Sequence, residues 1–295
     1  MIDTINGHTR LYGLFAHPAK HSLSPLMHNL SFRKRGINAV YLAFDMTGDL
    51  GDAVNSIRQF DMGGVNLSMP FKRTVIPFLD ELTPTADLIG AVNTIMNRDG
   101  HLIGANTDGT GFFAHLAANG YATNRKTATV LGAGGAGLSI IAAGASKGLS
   151  TIHVFKRRNA SFPAVSDQLR QIAAAYPTTI QLHDYNDEAA LQRALSESDF
   201  LINSTNIGMG DDAKLPVAEA LIDCLSPSAV VCDAIYEPRQ TRFLHAAKQH
   251  GCITFNGLGM LIYQGAQAFQ RWTDQEMPID DVEDALLKEL DQNRS

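Results

Sequence analysis

Short apolar runs alternate with longer amphipathic segments along most of the chain. That order predicts β-α-β-α units, hence parallel sheet with helices on its faces. Residues 11–15 read as a strand. Ser24-Pro25 predicts a helix start, with Ser24 as N-cap and proline at the first helical position. Gly36 predicts its end. A second strand is expected over 41–44, an amphipathic helix over 49–60 and a third strand over 63–67, interrupted by Pro70. Residues 91–96 and 101–106 flank Arg98-Asp99-Gly100, and Asp-Gly between two strand-like runs predicts a hairpin.

The character changes near residue 110. From Thr127 the order is strand, glycine-rich turn over 132–137, helix to about Lys147, and strand over 151–155. This is a βαβ unit of about 30 residues. Further strands are expected at 179–182, 200–203, 230–233 and 253–255, then helices over 260–272 and 279–292. The expected architecture is α/β with two α/β domains. Residues 1–109 form an N-terminal substrate-binding and catalytic domain with a mixed, mainly parallel sheet, completed by C-terminal helices within 259–295. Residues 110–258 form a Rossmann-type dinucleotide-binding domain.

Composition narrows the class. Hydrophobic residues are 45% and charged residues 18% of the 295, enough to build a core and unlike a disordered chain. A net charge of −6 argues against a general nucleic-acid binder, which needs excess Lys and Arg. No uncharged apolar stretch approaches the roughly 18 residues of a membrane span. Cys224, Cys232 and Cys252 lack metal-ligand spacing and are odd in number, so neither a metal site nor a disulfide framework is expected. With no basic-then-apolar leader at residues 1–4, the expectation is a cytoplasmic protein.

Gly132-Ala133-Gly134-Gly135-Ala136-Gly137 satisfies G-x-G-x-x-G in the strand-to-helix setting that the pattern requires. The first glycine permits the tight turn, the second lets a pyrophosphate approach the backbone, and the third lets helix and strand pack closely. The helix start then offers free N–H groups to the anion. The plainer reading is a glycine-rich turn in an empty doubly wound domain. The next strand ends in Phe155-Lys156-Arg157-Arg158-Asn159, with no acid between Phe155 and Pro163. An acid there would bind the ribose 2′-hydroxyl of NAD, whereas basic residues suit the 2′-phosphate of NADP. NADP is therefore the expected cofactor, with NAD the alternative.

Four polar clusters stand at strand ends and turns of the first domain: His21-Ser22-Leu23-Ser24-Pro25, Asn66-Leu67-Ser68-Met69-Pro70-Phe71-Lys72, Ala91-Val92-Asn93-Thr94 and Asn106-Thr107-Asp108-Gly109. Ligands of open α/β sheets bind outside the carboxyl ends of strands. Amides and hydroxyls there suit a small, heavily hydroxylated ligand, since each can donate and accept.

H-S-L-S-P, G-V-N-L-S-M-P-F-K, A-V-N-T-I, N-T-D-G-x-G, G-A-G-G-A-G, N-S-T-N-I-G-M and G-L-G-M-L-x-x-Q-G-A follow one another in this order. From about Tyr12 to Trp272 the chain resembles the shikimate dehydrogenase family, including its quinate/shikimate branch. The resemblance implies reversible oxidation of shikimate to 3-dehydroshikimate with a nicotinamide cofactor, a step of aromatic amino acid biosynthesis. It implies that Ser22 and Ser24 hold the substrate carboxylate and that Asn66, Ser68, Asn93, Asp108 and Gln264 contact ring hydroxyls. Lys72 and Asp108 would form the catalytic pair, with Tyr236 near the substrate. Asn203, Thr205 and Met209 would lie near the cofactor and Gly257 at its nicotinamide end. Ser68 replaces the Thr of shikimate-specific members and resembles the quinate/shikimate branch. NADP-specific members often read N-R-T in the cofactor turn and dual-cofactor members N-R-R-D. Lys156-Arg157-Arg158-Asn159 has the basic pair of the second group without its acid, and its charge favours NADP.

Oxidising a secondary alcohol requires a proton acceptor within about 3 Å of the hydroxyl. Lys72 is the candidate, with Asp108 holding its amine. Plainer readings stand beside these. Ser24 could be only an N-cap, Asn66 and Asn93 turn residues, Lys72 a solvated helix lysine, Asp108 a turn or cap, and Gln264 a solvent-facing side chain. His21 and His28 read as local packing or hydrogen bonding, and Met260, Leu261, Phe269 and Trp272 as core. The expected partner is a small-molecule acid, shikimate with quinate as alternative, and neither nucleic acid nor membrane; a homodimer is left open. Competing functions are another alicyclic polyol acid as substrate, a non-catalytic dinucleotide sensor, and a module of larger enzymes.

Overall fold

The computed structural model describes residues 5–210 and 214–292. Residues 1–4, the segment read for a leader, lie outside the described residues. The chain divides into two compact units, Met1–Thr107 with Ile262–Ser295, and Asp108–Leu261.

The first unit runs β1 (Arg10–Ala16), α1 (Ser24–Arg35), β2 (Ala39–Asp45), α2 (Leu50–Gln59), β3 (Gly64–Leu67), α3 (Phe71–Thr74), β4 (Glu81–Leu82), α4 (Pro84–Ile89), β5 (Thr94–Arg98) and β6 (His101–Ala105). Its sheet has the order β2-β1-β3-β5-β6-β4. β1 is parallel to both β2 and β3, and β4 is parallel to β6. β5 is antiparallel to β3 and β6, so the sheet is mixed. The β5–β6 hairpin turns at Asp99 and Gly100, with φ of 53° and 90°. Two successive positive φ values are the turn chemistry that Asp-Gly supplies.

α2 shows how local sequence builds an element. The Asp49 carboxylate accepts the Asp52 N–H at 3.0 Å, and Val54 and Ile57 turn inward. They pack with Phe15, Val65, Ile95 and Leu102 on one face of the sheet. An aromatic cluster of Tyr12, Phe32, Tyr41, Phe269 and Trp272 surrounds His28 on the C-terminal helix side. Gly64 is required there: a Cβ on it would lie 2.3 Å from Trp272 Nε1, which donates to the Ile95 carbonyl at 3.0 Å. The edge strand β2 is shielded by Asn29. Its amide accepts the Tyr41 N–H and donates to the Tyr41 carbonyl, both at 2.8 Å. A side chain thus occupies backbone groups that would otherwise invite a further strand.

The second unit runs α5 (Asp108–Ala118), β7 (Thr127–Leu131), α6 (Gly135–Ser146), β8 (Thr151–Lys156), α7 (Phe162–Ala175), β9 (Thr179–Asp184), α8 (Glu188–Glu197), β10 (Phe200–Asn203), α9 (Glu219–Ile222), β11 (Val230–Asp233), α10 (Arg242–Gln249) and β12 (Ile253–Phe255). It also holds the start of α11 (Gly257–Thr273), whose residues from Ile262 belong to the first unit with α12 (Ile279–Gln292). The sheet is parallel throughout, in the order β12-β11-β10-β7-β8-β9. Counted from β7 this is the doubly wound order 3-2-1-4-5-6, with its switch point between β7 and β10. α6 is buried from Gly137 through Ala145, and α5 crosses it at Gly109, where a Cβ would lie 1.9 Å from the Ser139 carbonyl oxygen.

Two expectations are corrected. Ser24 is not the N-cap of α1: Leu23 holds that place, Ser24 is the first helical residue, and the Ser22 hydroxyl accepts the Ser24 N–H at 3.2 Å. A serine one residue earlier competes for the same donor. α11 begins at Gly257, not near residue 260, because Asn256 accepts the Leu258 N–H at 3.1 Å and starts the helix early.

Candidate active site

The first unit gathers its amides at the ends of β3, β5 and β6. Asn66 on β3 is buried, and Tyr41 donates its hydroxyl proton to Asn66 Oδ1 at 2.8 Å. Asn66 Nδ2 donates to the Asn93 carbonyl and to Thr94 Oγ1, each at 3.1 Å. Asn93 Oδ1 accepts the Thr107 N–H at 2.8 Å and the Thr94 hydroxyl at 3.0 Å. Asn93 Nδ2 donates to Thr107 Oγ1 at 3.0 Å and to Gln264 Oε1 at 3.2 Å. One connected network thus joins Asn66, Asn93 and Gln264, and Gln264 does not point idly into solvent. Asn106 stands apart, donating to the Ala91 carbonyl at 3.0 Å.

Burial sets the electrostatics beneath this network. It raises the Tyr41 phenol well above its ordinary value, with the Ser24 hydroxyl partly opposing. It pushes His28 down to about 3, with the Asn66 amide partly opposing. His28 is fully buried, stacks on Tyr41 at 4.5 Å between ring centroids, and has no hydrogen-bond partner for either nitrogen among the described residues. Packing describes His28; hydrogen bonding does not. An orphaned imidazole stays neutral in such a site.

Ser22 and Ser24 sit together at the start of α1, Ser22 half-buried and Ser24 buried. Ser68 follows β3, half-buried, and its carbonyl accepts the Phe71 N–H at 2.9 Å. Lys72 lies on α3, half-buried, and its carbonyl accepts the Val92 N–H at 2.7 Å. Asp108 is buried and opens α5.

In the second unit the glycine turn fits a dinucleotide. Gly132 has φ of 95°, which favours glycine. A Cβ on Gly137 would lie 2.6 Å from the Gly132 carbonyl oxygen, so helix and turn touch there. A Cβ on Gly134 would meet nothing within 4 Å, leaving open space over the turn. Gly134 caps the twelve-residue α6 with no side-chain hydrogen bond, so no side chain caps its first N–H groups. Ala133 is buried, and Gly135 and Ala136 form the first turn of α6.

The basic turn follows β8. Lys156 Nζ donates to Asn159 Oδ1 at 3.1 Å, and burial, then the Arg157 charge, lowers its pKa. Arg158 Nε donates to Asp184 Oδ2 at 3.0 Å, with its guanidinium 5.0 Å from the centre of the Phe162 ring. The acid absent from 155–163 is supplied by the end of the neighbouring strand. A third group collects at the ends of β10 and β11. Asn203 Nδ2 donates to Asp233 Oδ1 at 3.0 Å, and Thr205 Oγ1 donates to Asn203 Oδ1 at 2.7 Å. Thr241 donates to Asp233 Oδ2 at 2.8 Å. Burial of Asp233 outweighs these donors and raises its pKa to about 6. Met209 is exposed, and Tyr236 is half-buried, its phenol raised by burial. Gly257 packs on the loop before Tyr236: a Cβ on it would lie 2.1 Å from the Ala234 carbonyl oxygen.

Tyr41, Thr94, Thr107, Asp184 and Asp233 were not singled out by sequence reasoning. Thr94 and Thr107 lay inside quoted polar clusters and could have been. Tyr41, Asp184 and Asp233 carry no local signal, because their partners are remote in sequence. Among the described residues there is no cluster of metal-ligating side chains, and no helix is long and apolar enough to cross a membrane.

Comparison with known proteins places these residues in context. A family model described as the shikimate dehydrogenase substrate binding domain matches residues 14–95, and one described as the shikimate 5′-dehydrogenase C-terminal domain matches 257–287. The shikimate dehydrogenase (NADP+) of Streptococcus sanguinis is 46% identical over 94% of this chain and 96% of its own. The crystal structure of shikimate 5-dehydrogenase from Listeria monocytogenes in complex with shikimate and NAD is 40% identical, with a TM-score of 0.90 over 97% of this chain and 99% of that one. The ligand-free 5-ketofructose reductase of a Gluconobacter strain is 31% identical, with a TM-score of 0.86 over 96% and 99%.

Proposed function

The chain belongs to the shikimate dehydrogenase family, and from that membership we infer that it catalyses the reversible, NADP-dependent oxidation of shikimate to 3-dehydroshikimate. The observation that carries this reading is the buried network of Asn66, Thr94, Asn93, Thr107 and Gln264, a dense set of donors and acceptors suited to a polyol ring. A 5-ketofructose reductase on the same fold handles a ketose, which has no carboxylate. Ser22 and Ser24, at a helix start without a side-chain cap, favour an acid here.

In this reading the unit Met1–Thr107 with Ile262–Ser295 binds the acid and the unit Asp108–Leu261 binds the dinucleotide. Ser22 and Ser24 take the carboxylate, while Asn66, Ser68, Asn93, Asp108 and Gln264 orient the ring hydroxyls, with Tyr236 beside the acid. A ring hydroxyl would replace an internal bond of the network, such as the one from Asn93 to Gln264. In oxidation, Lys72 Nζ takes the hydroxyl proton as the C–H bond gives up its hydride and the carbonyl forms. Asp108 holds the resulting ammonium, and in the reverse direction Lys72 returns the proton to the carbonyl oxygen. When bound, the nicotinamide supplies the hydride acceptor. Gly132, Ala133, Gly134, Gly135 and Ala136 hold the pyrophosphate, and Lys156, Arg157 and Arg158 the 2′-phosphate. Asn203, Thr205, Met209 and Gly257 line the nicotinamide half.

Two observations favour a broader specificity as the second reading. Ser68 has the residue type of the quinate/shikimate branch, and Asp184 beside Arg158 offers an acceptor to the ribose of NAD. Three free thiols, Cys224, Cys232 and Cys252, fit a reducing cytoplasm. The direct test is product identification: shikimate and NADP should yield 3-dehydroshikimate and NADPH. Failure of shikimate to react while NADPH still binds would favour a dinucleotide sensor.

A further inference from the structure

The basic turn after β8 is not three free cations. Lys156 is tied to Asn159. Arg158 is ion-paired to Asp184 and lies over Phe162. Arg157 alone makes no hydrogen bond or ion pair among the described residues. Lys156 and Asp184 are register partners at the carboxyl ends of β8 and β9, where the adenosine half of a dinucleotide lies in this strand order. Asp184 is itself held: its Oδ1 accepts the Asn186 N–H at 3.0 Å while its Oδ2 takes Arg158. The carboxylate is therefore anchored in place by its own strand end.

We propose that Asp184 is a specificity-determining residue that tempers the preference for NADP over NAD. It neutralises Arg158 and sets a fixed negative charge beside the place a 2′-phosphate occupies. The same carboxylate can accept a hydrogen bond from an unphosphorylated 2′-hydroxyl, the role an acid plays at the end of the second strand of other dinucleotide folds. The acid comes here from the third strand, so the run 155–163 looks wholly basic. The proposal rests on the reading that this turn takes the 2′-phosphate.

Asp184→Asn removes the charge and keeps an acceptor for the Asn186 N–H. Removing one charge a few ångströms from a phosphate dianion at a partly exposed site should tighten its binding about tenfold. The probes are adenosine 2′,5′-bisphosphate and ADP, titrated into the full chain by calorimetry, followed by NADPH and NADH. The bisphosphate and NADPH should bind about tenfold tighter to Asp184→Asn, and ADP and NADH no tighter. The gain should shrink as salt is raised. Asp184→Ser, which also keeps an acceptor, should behave alike if the Asn variant folds poorly. Unchanged or weaker bisphosphate binding in both variants, or equal changes for all four probes, would overturn the proposal. Arg157→Ala separates the two layers. If it leaves bisphosphate binding unchanged, the phosphate reading of the turn fails and the proposal with it. If it weakens binding while the Asp184 variants do nothing, only the proposal about Asp184 fails.

Discussion

Replacing Tyr41 by Phe isolates one bond in the polar network. The ring is fully buried and stacks on His28, and Phe retains its shape. What is lost is the hydroxyl that donates to Asn66 Oδ1 at 2.8 Å. Tyr41 is the one donor to that oxygen among the described residues, and Asn66 is only 6% exposed, so water is a poor substitute. Leaving a buried acceptor unpaired costs about 1–3 kcal/mol. With 2 kcal/mol and a urea m-value of about 2 kcal/mol/M, the midpoint of the first unit should fall by about 1 M. Asn66 also loses its orientation towards a ring hydroxyl. A loss of about 1.4 kcal/mol in shikimate binding is about tenfold in KM. kcat should change much less, because Lys72 is untouched. Urea titration followed by Trp272 fluorescence and steady-state kinetics on the same preparation read both effects. An unchanged midpoint with an unchanged KM would refute the idea that Tyr41 positions Asn66.

Lys72→Ala should lower kcat by about two to four orders of magnitude with little change in KM, as expected for loss of a general base; an unchanged kcat in stopped-flow assays would remove Lys72 from the reaction. Gly134→Val should fold, since a Cβ there meets nothing within 4 Å, yet weaken NADPH at least about tenfold by filling the space a pyrophosphate needs. Fluorescence titration checks it, and wild-type affinity would count against the turn. His28, depressed to about 3 from an ordinary 6.5, contributes stability that is full above pH 6.5 and lost as pH falls towards 3. Asp233, raised from 3.8 to about 6, contributes stability that is full below pH 3.8 and lost as pH rises through 6. Each slope approaches 1.4 kcal/mol per pH unit at most. His28→Phe should therefore become more stable relative to wild type as pH is lowered from about 6 to about 4, by urea titration. A constant difference across that range would show that His28 does not titrate as a buried neutral ring.

Local chemistry was legible in this chain and remote chemistry was not. Gly132, Gly134 and Gly137 announce a turn because each glycine answers a local demand of backbone or packing. Asp99-Gly100 announces a hairpin because its φ values are intrinsic to two adjacent residues. The clusters around Asn66 and Asn93 were visible as unusual polarity at strand ends. Their linkage was not, because it depends on the antiparallel placement of β5 between β3 and β6. Asp184 was invisible for the same reason: it reaches Arg158 across a strand pairing, 26 positions away in sequence. The misplaced cap at Ser24 is a local failure, since two serines compete for one N–H and composition does not rank them.

The most direct test of the central claim is steady-state kcat/KM for the four pairs of shikimate or quinate with NADP or NAD. Shikimate with NADP should give the highest value, and NAD should still support measurable turnover because Asp184 is present. A clear preference for NAD, or turnover of neither acid while NADP binds, would contradict it.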